Sequence, residues 1–121
     1  MIRGIRGAIQ VSENEPLAIV SAADALMTAL IAANQILRAN VSAVFFTVTP
    51  DLNAAFPAAV PTKLKWTMVP FLCGQEIPVK GALERVLRVL ILVETDLSQE
   101  QIQHIYLGGA ASLRPDLMPQ D

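Results

Sequence analysis

At 121 residues the chain is expected to form one domain over residues 1–121, long enough to bury a core of its own. Hydrophobic residues reach 53 % before glycine is counted, already above the roughly 45–50 % usual with glycine included, and obligate subunit contacts, which resemble cut-open cores, would absorb the excess. The net charge of −2, with no Lys/Arg cluster, excludes the basic face that tracking nucleic-acid phosphates requires.

The N-terminus, Met1-Ile2-Arg3-Gly4-Ile5-Arg6, has a charged start and no apolar run of signal-peptide length, so a cytoplasmic protein is expected. Ile2 to Ile9 reads as a strand. Ile5, Gly7 and Ile9 share one face, and Arg6 points the other way between the small residues Gly4 and Ala8. Ser12-x-x-Glu15 matches a capping box, Asn14 offers an alternative cap, and Pro16 fits a first helical turn. Ile19, Ala23, Leu26, Leu30, Ala33 and Leu37 then recur at three and four residues, which predicts an amphipathic helix ending near Arg38-Ala39-Asn40. A membrane span over residues 17–37 is not expected. Ser21, Asp24, Thr28, Asn34 and Gln35 interrupt it, and a mid-bilayer Asp alone costs roughly 2.5–3.5 kcal/mol.

Val41 to Thr49, β-branched and aromatic, is a second strand closed by Thr49-Pro50-Asp51, with Asp51 as a turn or cap residue. Pro50, Pro57 and Pro61 among alanines suggest a short helical turn and a loop. Trp66 to Cys73 reads as a third strand, confined by Pro70 to an edge or a bulge. A loop from Gly74 to Gly81 leads to a fourth strand within Ala82 to Glu94. Asp96-Leu97-Ser98-x-x-Gln101 offers a short helix start, and Ile105 to Leu113 a fifth strand. One long helix and five strands make an α+β fold with a five-stranded mixed sheet. A single helix covers only one face of such a sheet, so the other face needs another subunit. With Cys73 and His104 as the sole cysteine and histidine, no disulfide, zinc site or other metal is implied.

The residue that stands out is Arg88, inside Val86-Leu87-Arg88-Val89-Leu90-Ile91-Leu92-Val93. A guanidinium cannot escape burial by losing its proton, and taking an ion out of water costs several kcal/mol, so an anion must meet it. Alternation sets Leu87, Val89, Ile91 and Val93 against the helix and turns Arg88 away from it. On the fifth strand Tyr106 belongs to the polar side. Arg6, Arg88 and Tyr106 thus fall on non-helix faces of three strands, an arrangement that suits a dicarboxylate. A purely structural partner for Arg88 would be Glu84, Glu94 or Glu76. Glu94 lies about 20 Å away along an extended strand and is a poor candidate; Glu76 can pair with Arg88 and still accept a bond from a ligand hydroxyl. Cys73 is equally readable as a small buried hydrophobe, His104 as structural and Trp66 as a packing residue.

A resemblance covers almost the whole chain. Met1-Ile2-Arg3-Gly4-Ile5-Arg6-Gly7-Ala8, Thr49-Pro50-Asp51-Leu52-Asn53-Ala54-Ala55-Phe56-Pro57-Ala58, Val69-Pro70 with Cys73-x-Gln75-Glu76, Arg85-Val86-Leu87-Arg88-Val89, His104-Ile105-Tyr106-Leu107 and Leu113-Arg114-Pro115-Asp116-Leu117 resemble, in order and spacing, the monofunctional bacterial chorismate mutases of the trimeric α/β-barrel type. The resemblance implies rearrangement of chorismate to prephenate without a cofactor, in a homotrimer whose sheets pack around a common centre and whose sites lie between subunits. By motif, Arg88 would meet the ether oxygen and Arg6 a substrate carboxylate. Glu76 and Cys73 would take the ring hydroxyl and the electron-poor side of the ring, Tyr106 the pyruvyl side, and Phe56 would wall the pocket from the adjoining subunit. Lys63, Leu113 and Arg114 join the substrate-binding set. The family's basic residue soon after Phe-Pro-Ala is replaced here by neutral Ala59-Val60-Pro61-Thr62, which leaves Lys63 or Lys65 to supply charge at the entrance. Arg114 lies about 26 Å from Tyr106 along a straight strand, so the two reach one ligand only if the chain bends or a neighbour contributes. Two other classes fit the same arginines: a trimeric imine/enamine deaminase, and a non-catalytic metabolite-binding regulator.

Overall fold

Five strands carry alternating apolar side chains, and one helix is long enough to cover one face of the sheet they form. The computed structural model of the protein describes residues 1–59 and 66–113. Strand β1 (Ile2–Gln10) is followed by helix α1 (Pro16–Asn34), a 3-10 turn (Arg38–Asn40) and β2 (Val41–Val48). A second 3-10 turn (Pro57–Ala59), β3 (Phe71–Gln75), β4 (Val86–Glu94), β5 (Ile105–Leu107) and a 3-10 helix (Gly108–Leu113) complete the chain. The sheet runs β3-β2-β4-β1-β5; β4 is antiparallel to β1 and β2, and the outer strands β3 and β5 are parallel to their neighbours.

The core lies on one face. Ile5 from β1, Val44 and Phe46 from β2, and Leu87, Val89, Ile91 and Val93 from β4 are buried against Ile19, Ala23, Leu26, Met27 and Leu30 of α1. By length and composition α1 could cross a membrane. Its apolar stripe is instead consumed by the sheet, as in the core helix of a globular fold.

The helix stops at Asn34, short of the expected 38–40, because Asn34 serves as a clamp. It is buried, its Nδ2 donates to the Leu30 and Gln103 carbonyls at 3.0 and 2.9 Å, and its Oδ1 accepts the Gln103 N–H at 2.7 Å. Gln35 then turns left-handed, with φ 52°. At the other end neither Ser12 nor Asn14 caps. Glu15 holds the N-cap position without a side-chain bond, with Pro16 first in the helix as expected. The Asn14 oxygen is committed elsewhere, to the N–H groups of Asn53 and Ala54 at 3.0 Å each.

Three further elements differ from expectation. β3 begins at Phe71 rather than Trp66: Pro70 contributes only its carbonyl, to the Val44 N–H at 3.0 Å, while Trp66 folds into the core beside Phe71. It is an edge strand, as Pro70 requires. β5 ends at Leu107, because Gly108 takes φ +58° and Gly109 lies so close to the Gln10 side chain that a Cβ there would collide with its Oε1. Residues 98–101 form a turn rather than a helix, although Ser98 and Gln101 exchange reciprocal bonds, Ser98 N–H to Gln101 Oε1 and Gln101 N–H to Ser98 Oγ.

Candidate active site

Register places five residues in one row on the face opposite α1. Gly74 pairs with Thr47, Thr47 with Arg88, Arg88 with Ala8, and Ala8 with Tyr106. Neighbouring strands lie about 4.8 Å apart, so this row brings Thr47, Arg88 and Tyr106 within reach of one small molecule. Ala8, between Arg88 and Tyr106, lets both lean inward. The next row, two residues along, runs Leu72, Phe45, Leu90 and Arg6. Arg6, Phe45, Thr47, Arg88, Leu90 and Tyr106 line a cavity of about 340 Å³. Beside it, Ala110 and Leu113 of the 3-10 helix pack with Ala8, Val86 and Tyr106.

The anion that meets Arg88 is Glu76. Both carboxylate oxygens accept from Arg88 Nε at 3.0 Å, and the Thr47 hydroxyl donates to Oε2 at 3.2 Å. Glu76 is held at this height by its own backbone, whose N–H continues the β2–β3 ladder to the Val48 carbonyl at 2.9 Å. The other structural candidates are engaged elsewhere, Glu84 with Arg85 and Glu94 with the N-terminal ammonium, each at 2.7 Å. Within one chain the Arg88 side chain is 43 % exposed and that of Glu76 16 %. The arginine is therefore not sunk in the apolar strand as its sequence context suggests; it stands on the open face.

The pairing uses only Nε. Among the described residues the two terminal nitrogens of Arg88 donate to no protein acceptor, and neither does the Arg6 guanidinium. The Arg6 backbone N–H is tied to His104 Nδ1 at 3.0 Å, which makes His104 a structural residue that extends the β1–β5 pairing. Unpaired donors from two guanidinium groups and a tyrosine thus converge on one cavity with apolar walls. Such a site can hold a small, strongly anionic molecule and place a donor against a chosen oxygen.

Other expected site residues lie elsewhere. Cys73 pairs in register with Phe46, so its thiol faces the core side, in keeping with a small buried hydrophobe. Cys73 and Phe56 line a second cavity, of about 500 Å³, with Leu52, Ala55 and Gly74. Phe56 is 78 % exposed and lines a different cavity from the one that Arg88 lines. Leu113 packs under Ala8 and Val86 rather than reaching the cavity as a free side chain. Lys63, Lys65 and Arg114 lie outside the described residues.

Thr47 is the site residue that sequence reading passes over. The signal was present: Thr47 alternates with the buried Val44 and Phe46 and so shares the face of Phe45. Asp51 has the anticipated turn role. It accepts from the Thr49 hydroxyl and from the Arg85 N–H, at 3.0 Å to Oδ2, which locks the exit of β2 to the left-handed residue that opens β4.

The family described as "Chorismate mutase type I" matches residues 2–117. The chain is 48 % identical over 118 residues to "Chorismate mutase AroH" of Thermus thermophilus, covering 97 % of each protein. It is 41 % identical over 118 residues to "Chorismate mutase AroH" of Bacillus subtilis (strain 168), covering 97 % of this chain and 93 % of that one. A solved chorismate mutase from Clostridium thermocellum superimposes with a TM-score of 0.89 at 38 % identity, covering 91 % of this chain and 98 % of the other.

Proposed function

The chain belongs to the chorismate mutase type I family, and from the geometry of its open sheet face we propose that Arg88, Arg6, Glu76 and Tyr106 bind and rearrange the substrate. The protein is an isomerase that converts chorismate to prephenate in aromatic amino acid biosynthesis. Family membership sets aside the deaminase and regulator alternatives. Residues 1–121 are read as one domain of this kind.

The reaction is an intramolecular Claisen rearrangement in which the ether C–O bond breaks as a C–C bond forms, and no atom is lost. A pericyclic step calls for neither nucleophile nor general base. It calls for restriction of a flexible substrate to its reactive shape, which removes an entropic part of the barrier. It also calls for a donor aimed at the oxygen that gains negative charge only in the transition state. The observation that supports this division of labour is the one-sided use of Arg88: Glu76 holds its Nε, and its terminal nitrogens remain for the ether oxygen. Arg6, on the same face and with no acceptor for its guanidinium among the described residues, takes a carboxylate and favours the diaxial conformer; Tyr106 takes the pyruvyl side. Glu76 retains acceptor capacity for the ring hydroxyl.

The site is completed between subunits of a homotrimer. Leu72 and Leu90 are exposed on the sheet face that α1 leaves bare, and Phe56 is exposed on its loop. In the trimer Phe56 walls a neighbour's cavity, and Lys63 and Arg114 are assigned to the substrate-binding set. Chorismate loss, followed in the ultraviolet, tests the set. Arg6→Ala is expected to lower kcat/KM roughly ten- to hundredfold, the scale of a lost hydrogen bond to a charged group. Unchanged kcat/KM would remove Arg6 from the site.

A further inference from the structure

We infer that Thr47 is a positioning residue that keeps Glu76 on the Nε side of Arg88, so that the guanidinium's terminal nitrogens stay available to the substrate. This deepens the reading of Arg88 given above and rests on it. Carboxylates commonly grip an arginine through two parallel bonds, a fork that enlists a terminal nitrogen. Such a grip would consume a donor the ether oxygen needs. In the structure both carboxylate oxygens instead lie 3.0 Å from Nε, and the added bond is the Thr47 hydroxyl, 3.2 Å from Oε2.

Three features make Thr47 suited to this. It stands directly opposite Arg88 in the β2–β4 ladder, on the same face of the sheet, so its hydroxyl approaches the carboxylate from beside the arginine. Its Cβ is branched, which restricts χ1 and fixes the direction in which the hydroxyl points. Its other register partner is Gly74, where an added Cβ would meet nothing within 4 Å, so the space beside Thr47 through which Glu76 reaches inward is clear. With Oε2 receiving both Thr47 and Nε, Oε1 receives only Nε among the described residues. Thr47 thereby leaves Oε1 as the oxygen with more acceptor capacity for a ligand hydroxyl.

The test is a set of purified variants assayed with chorismate, with thermal melting as a control for fold. Thr47→Val, which keeps shape and removes the hydroxyl, is expected to lower kcat about tenfold, with KM little moved and the melting midpoint retained. Thr47→Ser is expected to recover most of that loss. In a Glu76→Ala background, Thr47→Val should cause no further loss, because the hydroxyl then has no carboxylate to hold. Full activity of Thr47→Val overturns the inference. So does an equal loss in both backgrounds, which would assign the hydroxyl to direct substrate contact. Arg88→Lys in the same series separates the two levels: an impaired Arg88→Lys beside a fully active Thr47→Val sinks only the role of Thr47, whereas a fully active Arg88→Lys sinks the reading beneath it.

Discussion

Arg88 is held by one nitrogen and offers two, and this asymmetry is what makes a costly charge useful. A structural ion pair would engage the guanidinium as fully as geometry allows. Here Glu76 takes Nε alone, and Thr47 binds the same carboxylate. The outward direction of Arg88 was legible in the sequence, since strand alternation fixes it; chain distance disfavoured Glu94 but left Glu84 and Glu76 both open as partners, and only the structure decides for Glu76. The degree of exposure was not legible, because one strand's sequence does not say how much of the facing surface its own chain covers. Cys73 shows a further limit. Its motif neighbours imply a ligand role, yet its register with Phe46 sends the thiol to the core side. Strand register is a property of pairing, and a single strand does not encode it.

At the scale of elements, periodicity located β1, β2, β4 and α1, and long-range contacts decided where they end. The apolar rhythm of α1 continues to Leu37, but Asn34 is drawn to the backbone of Gln103, far along the chain, and the helix stops there. The Ser12-x-x-Glu15 pattern is a valid local cap that lost to a competing use of Asn14 as a brace for the loop leading to Phe56. β5 breaks at Gly108 because Gln10 and the 3-10 helix need the adjacent space. The closeness of α1 to the sheet is set at Gly7, where a Cβ would lie 2.8 Å from Leu30 Cδ1, 3.0 Å from Leu26 Cδ1 and 3.1 Å from the Ile105 carbonyl oxygen. Gly7→Ala must therefore displace the ends of the Leu26 and Leu30 side chains and crowd the Ile105 carbonyl, and is expected to destabilise the fold by about 1–3 kcal/mol, the usual cost of overpacking. Urea denaturation measures it; an unchanged midpoint would mean that the helix–sheet contact is looser than these distances imply.

At the scale of the whole molecule, the apolar excess, the bare sheet face and the exposed Phe56 have a common explanation in the homotrimer proposed above. The claim that the site is shared between subunits can be tested by mixing. Arg88→Lys and Phe56→Ser chains, each expected to be impaired alone, are refolded together. If each site draws Arg88 from one chain and Phe56 from the next, random mixing restores both wild-type halves in about a quarter of the sites. Mixed trimers with no recovery, or a monomeric mass in solution, would contradict the shared site.

The most direct measurement is the kcat of Arg88→Lys with chorismate. Lysine keeps the positive charge and loses the planar fork that allows one nitrogen to be anchored while others face the ether oxygen. Loss of one preorganised donor at a developing charge is worth about 2.7–4 kcal/mol. The expected result is a kcat lowered roughly a hundred- to a thousandfold in a variant whose fold and assembly are intact. A kcat near that of the wild type would show that the terminal nitrogens of Arg88 do not stabilise the transition state.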